Sequence, residues 1–269
     1  MNKIITNYHT HTTVCDGKNT PEETVLAAID GGFTALGFSA HGYTPFDLRY
    51  CMHDTDAYVS EIIRLKEKYR GRLEIYLGAE EDCRAPVDRD RFEYIIGSCH
   101  YFHLGGKYLP IDSGIDYFRA CLEAFEFNTH RLAETYYSEF CSYILSRKPD
   151  IVGHFDLITK FDEMAEPIFL NDPKYKAIAE KYLRAATCSG CIFEVNTGAI
   201  SRGYRKSVYP SEDLLYVMKK EGVRITLSSD SHAASTLDCS FSETRKYLYD
   251  IGFRHAYALR GKEFVPYEL

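Results

Sequence analysis

Along the chain, short apolar runs that turn polar at their ends alternate with longer stretches in which apolar residues recur every three or four positions. The short runs IITNYH (4–9), ALGFSAH (35–41), LEIYLGAE (73–80), YIIGSCH (94–100), DIVGHFD (150–156), CIFEVNT (191–197) and VRITLSSDSH (223–232) are predicted strands. Between and after them lie helical patterns: TPEETVLAAIDGG, DAYVSEIIRLKEKY, IDYFRACLEAFE, RLAETYYSEFCSYILS, PKYKAIAEKYLRAAT, PSEDLLYVMKKEG and SETRKYLYDIG. The first of these carries its own boundaries. Thr20 is placed as N-cap, Pro21 at the first helical position, Glu23 three residues on to close a capping box, and Gly31-Gly32 as the stop.

Strands that alternate with helices pair in parallel through right-handed crossovers. Seven such units with nearly continuous apolar strands fit a closed barrel or an open doubly wound sheet. No low-complexity tract, repeat or Pro/Gly/Ser linker interrupts the rhythm, so one domain over 1–269 is expected. No Gly-rich phosphate loop of the G-x-G-x-x-G or G-x-x-x-x-G-K type follows a strand, which removes support for those modes of nucleotide binding.

Composition narrows the partners. The chain is 45% apolar and 26% charged, ordinary for a soluble globular protein, and its net charge of −7 disfavours nucleic acid as main partner. MNKIITNYHTHT turns polar before a signal-peptide core forms, and no apolar run approaches the ~18 residues of a spanning helix, so no membrane partner is expected. Nine cysteines without a framework suit reduced thiols in a cytoplasm. Cys188 and Cys191 have the C-x-x-C spacing but lack a second pair, and Gly190 reads as a helix stop.

The polar strand ends carry the chemistry. By itself the pair His9 and His11 is weak, since ten histidines give roughly 0.4 such pairs by chance. But His41, Glu80, His100, His154, Asp230 and His232 also lie at or just past strand ends, so six of the seven strands finish in a metal-ligand type. The sixth finishes in Glu194-Val195-Asn196 instead. In a barrel those C-terminal ends form one face, the active-site face, and chance does not readily place ligands at the same end of six strands. Two positions back from the ligands lie Asn7, Ser39, Gly78, Ser98, Val152 and Ser228, expected to point inward on the same face. The same alternation selects Glu80, which shares the face of Gly78, over Glu81, which shares that of Leu77. With Asp16, the candidates number nine: His9, His11, Asp16, His41, Glu80, His100, His154, Asp230 and His232. Imidazole and carboxylate donors suit zinc, manganese or iron, and nine exceed the needs of one ion, which suggests two or three sharing carboxylates. Clustered divalent ions suit phosphoester hydrolysis.

HTHT near the N-terminus, SAHG (39–42), G-A-E (78–80), IGSCH (96–100), GHFDLITKF (153–161), EVNTG (194–198) and SSDSH (228–232) together resemble the PHP superfamily, named for polymerase and histidinol phosphatase. Within it the chain resembles the monofunctional L-histidinol-phosphate phosphatases, in order over residues 5 to 260. H-x-H and D-x-H are shared across the superfamily, whereas GHFDLI-x-KF and EVNTG…YPS (194–211) are more specific. The resemblance implies a distorted (β/α)7 TIM-like barrel with a trinuclear metal centre, and hydrolysis of L-histidinol phosphate to L-histidinol and phosphate in histidine biosynthesis. Carried over, His9, His11, Glu80 and Asp230 hold one metal and Glu80 bridges to a second held by His100 and His154. Asp16, His41 and His232, the trio assigned to catalysis, hold the third. Many superfamily members have histidine where this chain has Asp16.

Lys160, Arg202 and Arg205 are the candidates to hold the phosphate, with lysine near a position where these phosphatases often carry arginine. Glu81, Asp156 and Glu194 are candidates for the substrate amine, and Tyr43 and Tyr101 for stacking on its imidazole. Surface or packing roles are expected for His53, His103, His130 and His255, although His103 is close enough to His100 to reach the pocket mouth. Competing readings are a PHP phosphoesterase acting on phosphotyrosine, a sugar phosphate or a nucleic-acid 3′ end, and a non-catalytic metal-binding domain.

Overall fold

The seven apolar runs pair side by side, all in parallel. In the computed structural model, which describes residues 4–164 and 166–269, they are β1 (Thr6–Asn7), β2 (Ala35–Phe38), β3 (Glu74–Asp82), β4 (Tyr94–Ser98), β7 (Ile151–Val152), β8 (Ile192–Asn196) and β9 (Ile225–Ser228). Their spatial order is β1-β2-β3-β4-β7-β8-β9. Among the described residues, the seam between β9 and β1 has its backbone pairing at the C-terminal end, in a parallel bridge between Thr10 and Ser231. His11 N–H donates there to the Ser231 carbonyl (2.8 Å) and Ser231 N–H to that of His9 (3.1 Å). Lower down, the side chain of Asn7 spans the seam to Ser229 Oγ (2.8 Å). The result is a nearly closed barrel.

Helices α1 (Pro21–Asp30), α2 (Thr55–Lys68), α3 (Ile115–Ala124), α4 (Thr129–Arg147), α5 (Pro173–Thr187), the single turn α6 (Gly198–Ser201), α7 (Glu212–Lys220) and α8 (Phe241–Ile251) surround it. The capping box of α1 forms as its sequence dictates, with Glu23 N–H donating to Thr20 Oγ1 and Thr20 N–H to Glu23 Oε2. Val25 and Ala28 of α1 and Ile62 and Leu65 of α2 pack on Leu36, Phe38, Ile75 and Leu77, the outward faces of β2 and β3. Each buried aliphatic side chain of this kind contributes about 1.5–3 kcal/mol. None of the described helices is long and apolar enough to cross a membrane.

Inside the barrel, Tyr8, Tyr76 and Tyr94 meet edge to face. The Tyr94 hydroxyl donates to the carbonyls of Tyr8 (2.6 Å) and Phe38 (3.1 Å). Gly37 and Gly78 leave room for it, since a Cβ on either would lie 2.3 or 2.2 Å from the Tyr94 side chain. Here the expected alternation fails in one place. Tyr8 points inward, while Asn7 reaches out to Ser229 and the Leu237 carbonyl. Asn7 Oδ1 accepts from the backbone of His9 (3.1 Å), and this local turn lets both Tyr8 and His9 face the interior.

Two antiparallel hairpins lie outside the predicted rhythm. One, β5 (Tyr101–Leu104) with β6 (Lys107–Pro110), rises from the end of β4. The other, β10 (His255–Arg260) with β11 (Glu263–Glu268), crosses the N-terminal end of the barrel, where Leu259 exchanges backbone hydrogen bonds with the hydroxyls of Tyr8 and Tyr76. His255 opens β10.

Candidate metal centre

The C-terminal strand ends converge on a cavity of about 230 Å³. Seven of the nine candidate ligands line it, and His9 and His11 lie buried beneath. Glu80, at the end of β3, is the hub. Its Oε2 faces His41 Nδ1 (2.9 Å), His9 Nε2 (3.2 Å) and His11 Nε2 (3.4 Å), and its Oε1 faces His154 Nε2 (3.1 Å) and His100 Nε2 (3.3 Å). Asp230 Oδ1 lies 3.2 Å from His11 Nε2 and 3.6 Å from His9 Nε2. Asp16 faces His232 Nε2 (3.2 Å) and His41 Nε2 (3.7 Å). Donor atoms gather within 4.8 Å of one another in four overlapping sets: His11, Asp16, His41 and His232; His9, His11 and Glu80; His9, His154 and Asp230; His41, Glu80 and His100.

A second layer of carboxylates explains why these nitrogens point inward. Glu194 Oε2 accepts from His9 Nδ1 (2.8 Å), and Asp82 Oδ2 stands 3.2 Å from His100 Nδ1. With the proton on Nδ1, each ring turns the lone pair of Nε2 toward the centre. Glu194 is itself fixed by the backbone N–H of His154 and by Asn196 and Ser228. His9 Nε2, His11 Nε2 and Glu80 Oε2 are buried with no hydrogen-bond partner among the described residues. Lone pairs facing a carboxylate repel unless positive charge lies between them. Ligands about 2.1 Å from a tetrahedral zinc stand roughly 3.4 Å apart, close to the spacing of this donor set. The residues therefore fit several divalent ions.

The charges agree. Burial disfavours ionised Glu80 and Asp230, but His9, His41 and His100 around the one, and Arg202 and His9 beside the other, hold both carboxyls well below the usual range. Burial likewise opposes the imidazolium of His9, yet Glu194, Glu80 and Asp230 keep its pKa well above the ordinary value; Glu80 and Asp16 raise His41, and Glu80 and Asp82 raise His100. His11 goes the other way, to about 3, because burial and the neighbouring His41 and His232 disfavour its charge. Without metal, the centre draws in protons as cations.

The walls carry the substrate-sized groups. Arg202, on the turn after α6, donates to Asp230 Oδ2 and to the Asp230 carbonyl (both 2.8 Å). His232 Nδ1 stands 3.0 Å from that carbonyl and 2.9 Å from Arg202 Nη1, while its Nε2 faces Asp16. Lys160 also lines the cavity. Arg205 does not. Gly203, at φ +75°, turns the chain so that the buried guanidinium of Arg205 binds Thr159 Oγ1, Glu163 and Ser207. Tyr101 lines the cavity, whereas Tyr43 is half exposed outside it. His103 stacks on Tyr108 away from the mouth, His130 pairs with Asp172, and His53 bonds the Leu48 carbonyl. The three amine candidates are all engaged elsewhere: Glu81 with Arg147 and Tyr143, Asp156 with Ser211 N–H, Glu194 in the layer beneath the histidines. Asp112, Ser113, Tyr50 and Tyr204 complete the lining and were not singled out by the sequence pattern. Glu194 had a signal, the carboxylate at the end of the one strand without a ligand.

The PHP domain family matches residues 7–198. The chain is 28% identical to a probable histidinol-phosphatase of Schizosaccharomyces pombe over 86% of this chain and 81% of that one. It is 30% identical to a probable histidinol-phosphatase of Deinococcus radiodurans, over 92% of this chain and 95% of the relative. Its fold is that of a histidinol phosphate phosphatase of Lactococcus lactis solved with zinc, L-histidinol and phosphate: TM-score 0.74 at 20% identity, covering 97% of this chain and 98% of that one. Matched by the family over most of its length and by a relative spanned almost end to end, the chain belongs to the PHP domain family, among its histidinol-phosphatases.

Proposed function

We propose that this protein hydrolyses the phosphomonoester of L-histidinol phosphate to L-histidinol and phosphate, a step of histidine biosynthesis. The observation that carries the reading is the sharing of one cavity by the Glu80-centred donor cluster and the cations Lys160 and Arg202. His9, His11, Glu80 and Asp230 are assigned to one ion, Glu80 with His100 and His154 to a second, and Asp16, His41 and His232, the catalytic trio, to a third. The sets His9, His11 and Glu80 and Asp16, His41 and His232 with His11 support the first and third of these, and the remaining sets share ligands between them. Zinc, manganese or iron would each suit the nitrogen and oxygen donors. Bound there, such ions neutralise phosphoryl oxygens and make water acidic enough to supply hydroxide near neutral pH.

The chain's own residues do the rest. Glu194 and Asp82 orient His9 and His100, and Arg202 anchors Asp230. Lys160 and Arg202 offer positive charge to the phosphate from the cavity wall. Arg205 buttresses Thr159 beside Lys160 instead of meeting the phosphate. The working unit is one barrel domain over 1–269, supported by a hairpin at 255–268 that packs on Tyr8, just past β1, and on Tyr76 of β3. A cytoplasmic setting suits nine free thiols, and the net charge of −7 speaks against nucleic acid as partner.

Phosphate release from L-histidinol phosphate, beside phosphotyrosine, a sugar phosphate and a nucleotide with zinc or manganese supplied, tests the substrate. A kcat/KM at least ~10²-fold above the others is expected. Comparable rates across the panel would leave a phosphoesterase and remove this substrate.

A further inference from the structure

The chain that leaves β6 brings Asp112 and Ser113 onto the cavity wall. Ile111 N–H donates to the His100 carbonyl (2.8 Å), which ties this segment to the ligand-bearing end of β4. Four carboxylates line the cavity. Asp16, Glu80 and Asp230 each face imidazoles of the centre. Asp112, by contrast, pairs with no histidine among the described residues, although His100 and His154 are near enough to help hold its carboxyl below the usual range. Its charged partner is Lys160, whose ammonium lies 3.0 Å from Asp112 Oδ2 and also donates to the Asp112 carbonyl (2.8 Å). The wall beside His100 thus presents one negative and one positive charge side by side, and Oδ1 of Asp112 has no hydrogen-bond partner among the described residues.

We propose that Asp112 receives the substrate's ammonium group while Lys160 and Arg202 face its phosphate, so that the site selects phosphomonoesters carrying a primary amine. This rests on the phosphatase reading above. A substrate with both charges exchanges partners with the Asp112–Lys160 pair without leaving any charge uncompensated in a cavity where unpaired charge is costly. A phosphate ester without an amine sets its negative charge beside Asp112 with nothing to offset it, and repulsion of this kind discriminates as effectively as attraction.

The test compares kcat/KM for L-histidinol phosphate and for its deaminated counterpart, an imidazolylpropyl phosphate, in the wild type and in Asp112→Asn, together with inhibition by inorganic phosphate. The preference for the amine is expected to shrink at least ~10-fold in the variant, chiefly through KM. Inorganic phosphate should inhibit the variant more tightly, because Lys160 is no longer neutralised. Equal losses on both substrates, or weaker inhibition by phosphate, would mean that Asp112 only supports the fold, and would overturn the proposal while leaving the phosphatase reading intact. A wild type that does not turn over L-histidinol phosphate at all would remove both.

Discussion

At Glu80 five imidazoles surround one carboxylate, and the alternation of a single strand selects this residue over its neighbour. Glu81, one position on, faces outward to Arg147 and Tyr143. The protons held by this arrangement set a pH dependence. The raised pKa values of His9, His41 and His100 stabilise the metal-free fold below their unfolded value of about 6.5, and that stability is lost as pH rises through the higher folded values. The depressed carboxyls of Glu80 and Asp230 add stability present above about pH 4 and lost below it. His11, held neutral down to about 3, costs stability as pH falls below about 6.5, so the metal-free protein is expected to be most stable near pH 6.5. Metal binding displaces the imidazole protons, so the added stability grows with pH. Urea midpoints with and without zinc should diverge from pH 6 to 8.5, and a gap that stays constant would count against histidine-held ions. Most ligands were legible because each ends a strand. Asp112 was not, since it sits beyond a hairpin with no periodicity to place it, and neither was the role of Glu194, which depends on what stands above it in the barrel.

Among the elements, the seven strands and the helices follow from pattern and caps, while the hairpins do not. Yet Gly105-Gly106, both at positive φ between YFHL and KYLP, is a two-residue hairpin signal in its own right. The irregular turn at Tyr8–His9 also escapes a rule of strict alternation, because a side-chain bond from Asn7 supplies it. Packing between elements is tight at Gly37, Gly78 and Tyr94, where strands β2, β3 and β4 share one phenol. Gly78→Ala is expected to cost about 1–3 kcal/mol in urea unfolding, since neither the ring nor the backbone can easily yield. Gly37→Ala meets chiefly the Tyr94 hydroxyl, so combining it with Tyr94→Phe should cost less than the sum of the two single changes. Strict additivity would mean that the clash is relieved elsewhere.

The molecule as a whole is a barrel whose two ends do different things. The N-terminal end is crossed by β10–β11 through Tyr8 and Tyr76, and the C-terminal end gathers the ligands. The choice of barrel over open sheet was legible because ligand types end six different strands, which only a closed arrangement brings to one point. The seam itself was not, because β1 and β9 meet through one bridge and a side-chain contact instead of a ladder. The central claim is that buried imidazoles and carboxylates hold several divalent ions, and that hydrolysis depends on them. The direct measurement is elemental analysis and turnover of L-histidinol phosphate on the same protein before chelation, after it, and after metal is restored. About two to three ions per chain, a loss of at least ~10²-fold on stripping with the fold retained, and recovery on reloading are the expected results. Undiminished turnover with less than one ion per chain would contradict the account.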